Sequence, residues 1–309
     1  MIISIIVPCK NEAESLPFFF EEMEKVTSKI NGYTFEYIFV DDGSTDDTLK
    51  VLKENKKDNF HYLSFTRNFG KEAALYAGLK EAKGDYVCVM DADLQDPPVL
   101  LIDMVNKIEE GKVDCVAAKR INRKGESVVR SFFARLFYKL INSMSTFKIE
   151  DGARDFRLMS RRMVESILEL AEYNRFSKGI FGWVGYDTEW IEYENAERVK
   201  GKTKWSFFSL LRYAIDGIVG FTSSPLVMAS YLGLIMFILS IIGIIFIVVR
   251  KLVYGDQTAG WPSLVCIILF CSSIQLLCIG IIGEYLAKTY LETKKRPIYI
   301  IKEKKKKKT

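Results

Sequence analysis

Histidine is almost absent from this chain of 309 residues, with His61 as its single example. That scarcity argues against a metal site built on several imidazoles and against a Ser-His-Asp triad. The six cysteines show no C-x-x-C spacing; three fall in apparent strands and three in an apolar stretch. We therefore expect buried free thiols, and neither a zinc site nor a disulfide framework. The N-terminal segment 1–8 lacks a basic n-region, so we expect no signal peptide.

Charge is missing from two long stretches near the C-terminus. Residues 217–249 contain no charged side chain, and the part from Pro225 to Val249 would be about 37 Å long as a helix, enough to cross a bilayer core. Pro262 to Gly283 is a second uncharged run. Because only residues 250–261 separate the two runs, the sequence predicts a transmembrane hairpin whose ends lie on one side.

Basic residues are concentrated after this hairpin, although the net charge is only +5. Ten Lys or Arg lie between Lys288 and Lys308, whereas the connection has only Arg250 and Lys251. The positive-inside rule therefore predicts that both termini lie in the cytoplasm, at an inner or plasma membrane. Beside a hairpin, such a basic tail indicates a lipid bilayer as the partner, and we expect no nucleic acid.

The first 120 residues alternate short apolar runs with segments of helical spacing. This alternation predicts an α/β fold with a Rossmann-like, mostly parallel sheet and right-handed crossovers. The predicted strands are Ile2–Val7, Tyr37–Val40, Tyr62–Phe65, Tyr86–Met90 and Cys115–Ala118, and the predicted helices cover 12–29, 45–56, 70–82 and 97–110. Four polar clusters should then meet at the carboxyl edge, where such sheets bind ligands: Pro8–Glu12, Asp41–Asp46, Arg67–Lys71 and Asp91–Gln95.

The most informative segment is YVCVMDADLQDPP, residues 86–98. An apolar strand ends there in Asp91, Ala92 and Asp93, and Gln95 follows. Two carboxylates separated by one residue can face one hard cation, and oxygen ligands suit Mg²⁺ or Mn²⁺, which would in turn carry a diphosphate. By itself, the pattern also fits an Asp-rich turn after a strand.

Two aromatic segments have the composition of membrane-surface helices. Residues 121–150 interleave basic residues with aromatic ones, which fits either an amphipathic helix on a bilayer or a surface helix packed on the sheet. The basic residues that carry this pattern are Arg123, Lys124, Arg130, Arg135 and Lys139. Trp205–Ile218 precedes the first span and fits either an interfacial helix or a packed linker helix. Both alternatives stay open at this stage.

The motifs SIIVPCKNEAESL, YIFVDDGSTDDT, LSFTRNFGKEAALYAGL and VCVMDADLQDPP together resemble glycosyltransferase family 2, whose members adopt the GT-A fold. With GARDFRLMSRR, RVKGKTK and the hairpin, the resemblance narrows to the polyprenyl-phosphate glycosyltransferases and covers essentially the whole chain. The implied organisation is a cytoplasmic GT-A domain (1–204), an amphipathic interfacial segment (205–224), two transmembrane helices (225–249 and 262–286) and a basic cytoplasmic tail (287–309).

The resemblance implies an inverting hexosyltransferase that moves one sugar from a nucleotide-sugar donor to a polyprenyl phosphate, making a lipid-linked donor for cell-envelope glycosylation. UDP-glucose and undecaprenyl phosphate are the first choices, with GDP-mannose and UDP-GlcNAc as alternative donors. The implied nucleotide-sugar ligands are Pro8, Asn11, Glu12, Asp41, Lys71, Asp91 and Ala92. The implied ligands of Mg²⁺ or Mn²⁺ are Asp91, Asp93 and Gln95. The cation would offset the charge on the leaving nucleoside diphosphate.

For the acceptor, the resemblance implies a cluster of basic residues and one carboxylate. The implied phosphate ligands are Arg120, Arg130, Arg135, Arg198 and Lys204. Asp155 joins Asp93 as a predicted catalytic residue, either as a general base or as an orienter of the acceptor. A phosphomonoester has a second pKa near 6 and is already largely a dianion at neutral pH, so both roles stay open.

Two other functions agree less well with the sequence. Processive polysaccharide synthases share the donor fold but carry a Q-x-x-R-W motif and more spans, and none of Gln95, Gln257 and Gln275 begins such a motif. A non-catalytic nucleotide-sugar binding protein would have no need of the Asp91 and Asp93 pair. The resemblance to membrane-bound enzymes also implies a homo-oligomer, for which a tetramer is one candidate.

Overall fold

The computed structural model describes residues 1–121, 138–139, 141–145, 147–194, 215, 217–254 and 260–305. The chain forms two compact units. One comprises Met1–Gly217 together with Arg296–Thr309, and the other comprises Ile218–Lys295.

The first unit is an α/β domain built on one sheet. Its strands are β1 (Ile2–Cys9), β2 (Thr34–Asp41), β3 (Phe60–Phe65), β4 (Tyr86–Val89), β5 (Cys115–Arg120), β6 (Ala153–Ser160), β7 (Thr188–Tyr193) and β8 (Ile301–Lys304). Its helices are α1 (Leu16–Thr27), α2 (Thr48–Glu54), α3 (Lys71–Glu81), α4 (Leu100–Glu109), α5 (Arg161–Glu169) and α6 (Ser177–Trp183). All the strands and helices predicted within the first 120 residues are present.

The strand order is β7-β5-β6-β4-β1-β2-β3-β8. The four central strands β4, β1, β2 and β3 are parallel, and β5 pairs in parallel with β7, whereas β6 and β8 run antiparallel to their neighbours. The sheet is therefore mostly parallel, which confirms the predicted fold class. In this arrangement the loops after β1, β2, β3 and β4 share one edge.

The central strands are buried on both faces, as the near-continuous apolar runs predict. In β1, Ile3, Ile5, Ile6 and Val7 are fully buried. On one face, α1 and α4 pack into a core that includes Phe19, Phe39, Leu101, Met104 and Phe156. On the other face, α3 lies close to β1 and β2 through small buried residues such as Ala74 and Ala77. This packing fixes the first residue of α3, Lys71, at the ligand-binding edge.

The antiparallel strand β6 brings a distant segment to that same edge. It lies between β4 and β5, with Arg157 opposite Val89 and Ala153 opposite Lys119. Because β6 runs against its neighbours, its first residues lie where β4 and β5 end. Asp155, which precedes Arg157 by two positions, is therefore next to the loop after β4.

The C-terminal segment, for which the sequence predicts a basic tail, contributes an edge strand to the domain. Strand β8 pairs with β3, with Leu63 opposite Lys304. Just before it, the Tyr299 ring stacks on the Phe65 ring with centroids 5.0 Å apart. The alternation of apolar and charged residues in Ile301–Lys304 suits a half-exposed edge strand, and this periodicity explains why the segment pairs with the sheet despite its charge.

The second unit contains α7 (Ser224–Tyr254) and α8 (Trp261–Thr293), which pack against each other. The segments Ser224–Gly243 and Phe270–Thr293, with mean hydropathies of 2.3 and 1.6, are long and apolar enough to cross a membrane. Within this unit, the Tyr285 hydroxyl donates to the Thr222 carbonyl at 2.5 Å. Large apolar side chains such as Phe237 and Leu276 are exposed along both helices, as a lipid environment favours.

Free thiols are found where the structure describes the side chain. Cys9, Cys88 and Cys115 are buried in strands, and Cys271 and Cys278 are partly exposed on α8. All five are unpaired, as expected, although the two on α8 are less buried than the sequence suggested.

Candidate active site

The loops after β1 and β2 are joined by several hydrogen bonds. The Asn11 side-chain oxygen accepts from the Thr45 amide at 2.8 Å, and the Asn11 amide donates to the Ser44 hydroxyl at 2.9 Å. The Glu12 amide donates to the Thr48 hydroxyl at 2.8 Å. Asn11 has a positive φ of 55°, a conformation that Asn tolerates better than most residues. The predicted donor residues Asn11 and Glu12 are thus held at the carboxyl edge, just after Pro8 and the end of β1 at Cys9.

Asp41 is fully enclosed in this part of the sheet, with 1% of its surface exposed. One carboxylate oxygen accepts from the Ser44 amide at 2.9 Å and the other from the Ser64 hydroxyl at 2.7 Å. Both oxygens therefore already have partners within the protein. The contact between Asp41 and a nucleotide base stays a prediction, and it would have to use a further lone pair of this carboxylate.

Asp42 and two glycines shape the approach to Lys71. The Asp42 carboxylate accepts from the amides of Phe69 at 2.6 Å and Gly70 at 3.0 Å. Gly70 has φ of 97°, which an L-residue rarely adopts, and it immediately precedes α3. At Gly43, which has φ of 60°, an added Cβ would lie 2.5 Å from the Arg67 carbonyl carbon. The loops after β2 and β3 therefore meet only because a glycine stands at position 43.

Lys71 joins two carboxylates that are distant in sequence. Its ammonium nitrogen lies 2.7 Å from an Asp91 oxygen and 2.6 Å from an Asp155 oxygen. Asp91 was predicted to bind the metal and donor, and Asp155 was predicted to serve the acceptor. The structure therefore brings Asp91, a predicted donor ligand, and Asp155, a predicted acceptor residue, together at the Lys71 side chain. This bridge is the central feature of the site.

The electrostatics of this cluster follow from burial and opposite charge. Burial alone would raise the pKa of Asp155, but the ammonium groups of Lys71 and Lys178 outweigh it and hold that pKa well below its usual range. Burial likewise opposes the charged form of Lys71, yet Asp155 and Asp91 raise its pKa above the usual value. Asp155 is therefore a carboxylate at neutral pH, and Lys71 is protonated.

The loop after β4 carries the predicted metal ligands in a constrained conformation. Ala92 is buried, the Gln95 amide donates to the Asp93 carboxylate at 3.1 Å, and Leu94 has a positive φ of 57°. For a residue such as Leu, this conformation costs about 1 kcal/mol or more and persists only where neighbouring contacts enforce it. Strain of this kind clusters at functional sites, which fits the role predicted for Asp91, Asp93 and Gln95.

Among the described residues, no group of three or more His, Cys, Asp or Glu side chains is arranged to hold a metal ion. The set of Asp91, Asp93 and Gln95 nevertheless fits Mg²⁺ or Mn²⁺ in chemical type, because all its donors are hard oxygens. Mg²⁺ commonly binds through one or two carboxylates and takes its remaining ligands from substrate phosphates and water. A cation held jointly with a diphosphate is thus compatible with this loop.

Of the five predicted phosphate ligands, the described residues include Arg120 alone. Arg120 ends β5 at the same edge, and its amide donates to the Gly152 carbonyl at 3.0 Å. Arg130, Arg135, Arg198 and Lys204 lie outside the described residues, as do most of the two aromatic segments, 121–150 and 205–218.

Several charged residues at this edge were not predicted from the sequence. Arg157 is 3% exposed, and its guanidinium lies 3.7 Å from the Phe181 ring centroid. Glu72 accepts from the Ser177 amide at 2.9 Å, and burial raises its pKa to about 7. Asp96 binds Arg154 at 2.8 Å. Three of them are adjacent to predicted residues, since Glu72 follows Lys71, Arg154 precedes Asp155 and Asp96 follows Gln95. Arg157 lies two positions after Asp155.

Comparison with known sequences identifies the family. Residues 4–168, which hold Lys71, Asp91 and Asp155, match Glycosyl transferase family 2. The chain belongs to this family. It is 46% identical over 98% of its length to CsbB, a provisionally assigned glycosyltransferase of Bacillus subtilis (strain 168), covering 92% of that protein. It is 42% identical to the bactoprenol glucosyl transferase of Shigella phage SfV, over 99% of this chain and all of that one.

Among solved structures, the mannosyl-3-phosphoglycerate synthase of Rubrobacter xylanophilus aligns with 70% of this chain and 71% of its own. The two share 16% sequence identity, with a TM-score of 0.48. Membership of the family, together with the mostly parallel sheet and its carboxylate-bearing edge, identifies the first unit as a GT-A domain. The protein is a glycosyltransferase, as the sequence motifs predicted.

Proposed function

We propose that this glycosyltransferase moves one glucose residue from UDP-glucose to undecaprenyl phosphate at the cytoplasmic face of a membrane, with inversion and with the help of Mg²⁺ or Mn²⁺. The observation that carries the proposal is the bridge from Asp91 through Lys71 to Asp155. It joins the predicted donor and acceptor residues within hydrogen-bond distance of one ammonium group. A reaction between a bound sugar and an acceptor nucleophile requires this closeness.

The choice of acceptor is supported by two further observations. A relative that aligns over the whole of its own length is named a bactoprenol glucosyl transferase. The second unit provides two helices apolar enough to enter the bilayer, where a polyprenyl lipid is dissolved. The product of the reaction would be a lipid-linked glucose for cell-envelope glycosylation.

On the donor side, Asn11, Glu12 and Asp41 are the candidates for holding the nucleotide, and Asp91, Asp93 and Gln95 would hold the cation. When bound, the cation supplies a Lewis acid that stabilises the leaving nucleoside diphosphate. Lys71 carries a positive charge at the same place, and its pKa keeps it protonated throughout the physiological range. It can therefore donate a hydrogen bond to an anionic donor group that displaces one of its present partners.

On the acceptor side, we propose that Asp155 orients the acceptor and does not act as a general base. A general base works best when its pKa lies near the operating pH, and the pKa of Asp155 is held well below that range by Lys71 and Lys178. The acceptor phosphate is largely a dianion at neutral pH and needs no deprotonation. Arg120, Arg130, Arg135, Arg198 and Lys204 stay the proposed phosphate ligands.

The experiment combines the purified full chain, undecaprenyl phosphate and radiolabelled UDP-glucose, UDP-GlcNAc or GDP-mannose, with Mg²⁺, Mn²⁺ or a chelator. We expect one glucosyl lipid on thin-layer separation, formed only with metal, and a β-linked product from the α-linked donor by NMR. Asp155→Asn should leave measurable activity if Asp155 orients the acceptor. A long polymer, or no product with any donor, would contradict the proposal. Light scattering of the purified protein tests the predicted homo-oligomer.

A further inference from the structure

Asp96 is a buried carboxylate to which the proposed reaction assigns no role. It is 4% exposed and lies in the loop after β4. Its two oxygens lie 2.8 and 3.2 Å from the Nε atom of Arg154. The Tyr193 hydroxyl also donates to one of them. A single carboxylate thus binds residues that are 58 and 97 positions away in sequence.

Each of these three residues is adjacent to a different part of the proposed site. Asp96 follows Gln95 and is three positions after Asp93. Arg154 immediately precedes Asp155 on β6. Tyr193 ends β7, and the chain continues from there into residues 195–204, which carry Arg198 and Lys204. The metal loop, the acceptor carboxylate and the start of the predicted acceptor segment are therefore linked through Asp96.

The loop after β4 and strand β6 are joined twice by charged side chains, once through Lys71 and once directly. Lys71 binds Asp91 and Asp155, and Asp96 binds Arg154. Because neighbouring side chains on a strand point to opposite faces, Arg154 and Asp155 reach partners on different sides of β6. The loop between Asp91 and Asp96 is thus held at both ends, which fits the positive φ of Leu94 within it.

We propose that Asp96 is a positioning residue for sugar transfer, which couples the metal-binding loop to the acceptor half of the site through Arg154 and Tyr193. It acts through these neighbours and touches neither substrate. The inference deepens the proposed function and rests on it for its catalytic consequence. The mechanical link itself can be tested without any turnover.

The test uses Asp96→Asn in the full chain, reconstituted in nanodiscs. The substitution keeps the size of the side chain but removes its charge and replaces one acceptor oxygen by a donor amide. We expect hydrogen exchange of the amides of residues 91–95 to become about tenfold faster or more, and kcat to fall at least tenfold. Tyr193→Phe removes a single hydroxyl; we expect a severalfold higher KM for the lipid acceptor and an unchanged KM for the nucleotide sugar.

Asp114→Asn is the matched control. Asp114 is also a buried aspartate with an Arg and a hydroxyl partner, since Arg162 and Ser160 both donate to it. It precedes β5 and so lies at the sheet edge opposite to the proposed site. We expect this variant to leave exchange at residues 91–95 and both KM values unchanged, even if it lowers thermal stability.

Unchanged exchange at residues 91–95 in Asp96→Asn would overturn the inference, and so would equal acceleration there in Asp114→Asn. The exchange measurement decides this even if wild-type protein transfers no sugar to polyprenyl phosphate. That second result would refute the proposed function alone. If transfer is observed, a kcat unaffected by Asp96→Asn would also overturn the positioning role.

Discussion

Replacing Lys71 by Met should strengthen metal binding while slowing sugar transfer. The variant keeps the length of the side chain but removes the ammonium that lies 2.7 Å from Asp91. If Asp91 binds the cation as proposed, that ammonium competes with it for the same carboxylate in the absence of donor. Two unit charges about 4 Å apart interact by about 4 kcal/mol at an effective dielectric constant of about 20. Because Lys71 is 36% exposed, screening leaves about 1 to 2 kcal/mol, or about five- to thirtyfold in affinity.

The assay is titration of the donor-free protein with Mn²⁺, followed by electron paramagnetic resonance or calorimetry. We expect Lys71→Met to bind Mn²⁺ about five- to thirtyfold more tightly than wild type, as the charge estimate gives. Turnover with UDP-glucose should fall at least a hundredfold, because Asp155 loses the partner that aligns it and an anionic donor loses a cation, together worth about 3 kcal/mol. Lys107→Met is the matched control, since Lys107 is 37% exposed and pairs with Glu189.

Unchanged or weaker Mn²⁺ binding in Lys71→Met would refute the idea that Lys71 and the cation compete for Asp91. A similar gain in Lys107→Met would show that any lost cation strengthens binding through the net charge alone. Near-wild-type turnover in Lys71→Met would show that the bridge between Asp91 and Asp155 does not serve transfer.

Four further variants test other parts of the structure. Asp91→Asn and Asp93→Asn should each lower kcat more than a hundredfold in the glucosyl-lipid assay while the protein stays folded in membranes, since a loss of about 3 kcal/mol of leaving-group stabilisation suffices. In the folded protein the pKa of Glu72 is raised to about 7, so its contribution to stability is present below about pH 4.5 and lost as the pH rises towards 7; Glu72→Gln should remove this pH dependence of the melting temperature. Tyr299→Ala removes the ring that stacks on Phe65 and should lower the melting temperature of the α/β domain by several degrees, for a loss of about 1 to 2 kcal/mol.

Each of these expectations has a result that contradicts it. Near-normal turnover in both aspartate variants would exclude the predicted metal site. A melting temperature that falls from pH 5 to pH 8 equally in wild type and Glu72→Gln would show that Glu72 is not the titrating group. An unchanged melting temperature in Tyr299→Ala would show that the C-terminal segment adds nothing to the stability of the sheet.

The parallel core of the sheet could be predicted from the sequence because each of its strands has a clear local signal. The apolar runs beginning at Ile2, Tyr37 and Tyr86 are buried on both faces, and turn residues follow each of them. Since parallel strands end at one edge, the placement of Asn11, Lys71 and Asp91 followed from topology alone. These inferences use only local periodicity and a general rule of chain connection.

The antiparallel strands could not be placed in the same way. Asp155 lies 84 residues after Lys71, and nothing in the intervening sequence states that β6 inserts between β4 and β5. Strand β8 is separated from its partner β3 by the whole hairpin, and its lysines resemble those of a free tail. In both cases the position of the strand in the sheet depends on a pairing between residues far apart in sequence, and such a pairing is hard to predict from one sequence.

The contacts of Lys71 also bear on the order in which ligands bind. Without donor, the ammonium neutralises Asp91 and Asp155, so a cation at the proposed metal site would meet a carboxylate that is already paired. A nucleotide sugar brings a diphosphate whose negative charge can attract both the cation and Lys71. Cation and donor should therefore each bind more tightly in the presence of the other, and by linkage the coupling is the same in both directions. Removing Lys71 would weaken this coupling from both sides, because the cation would gain affinity without the donor while the donor would lose a partner.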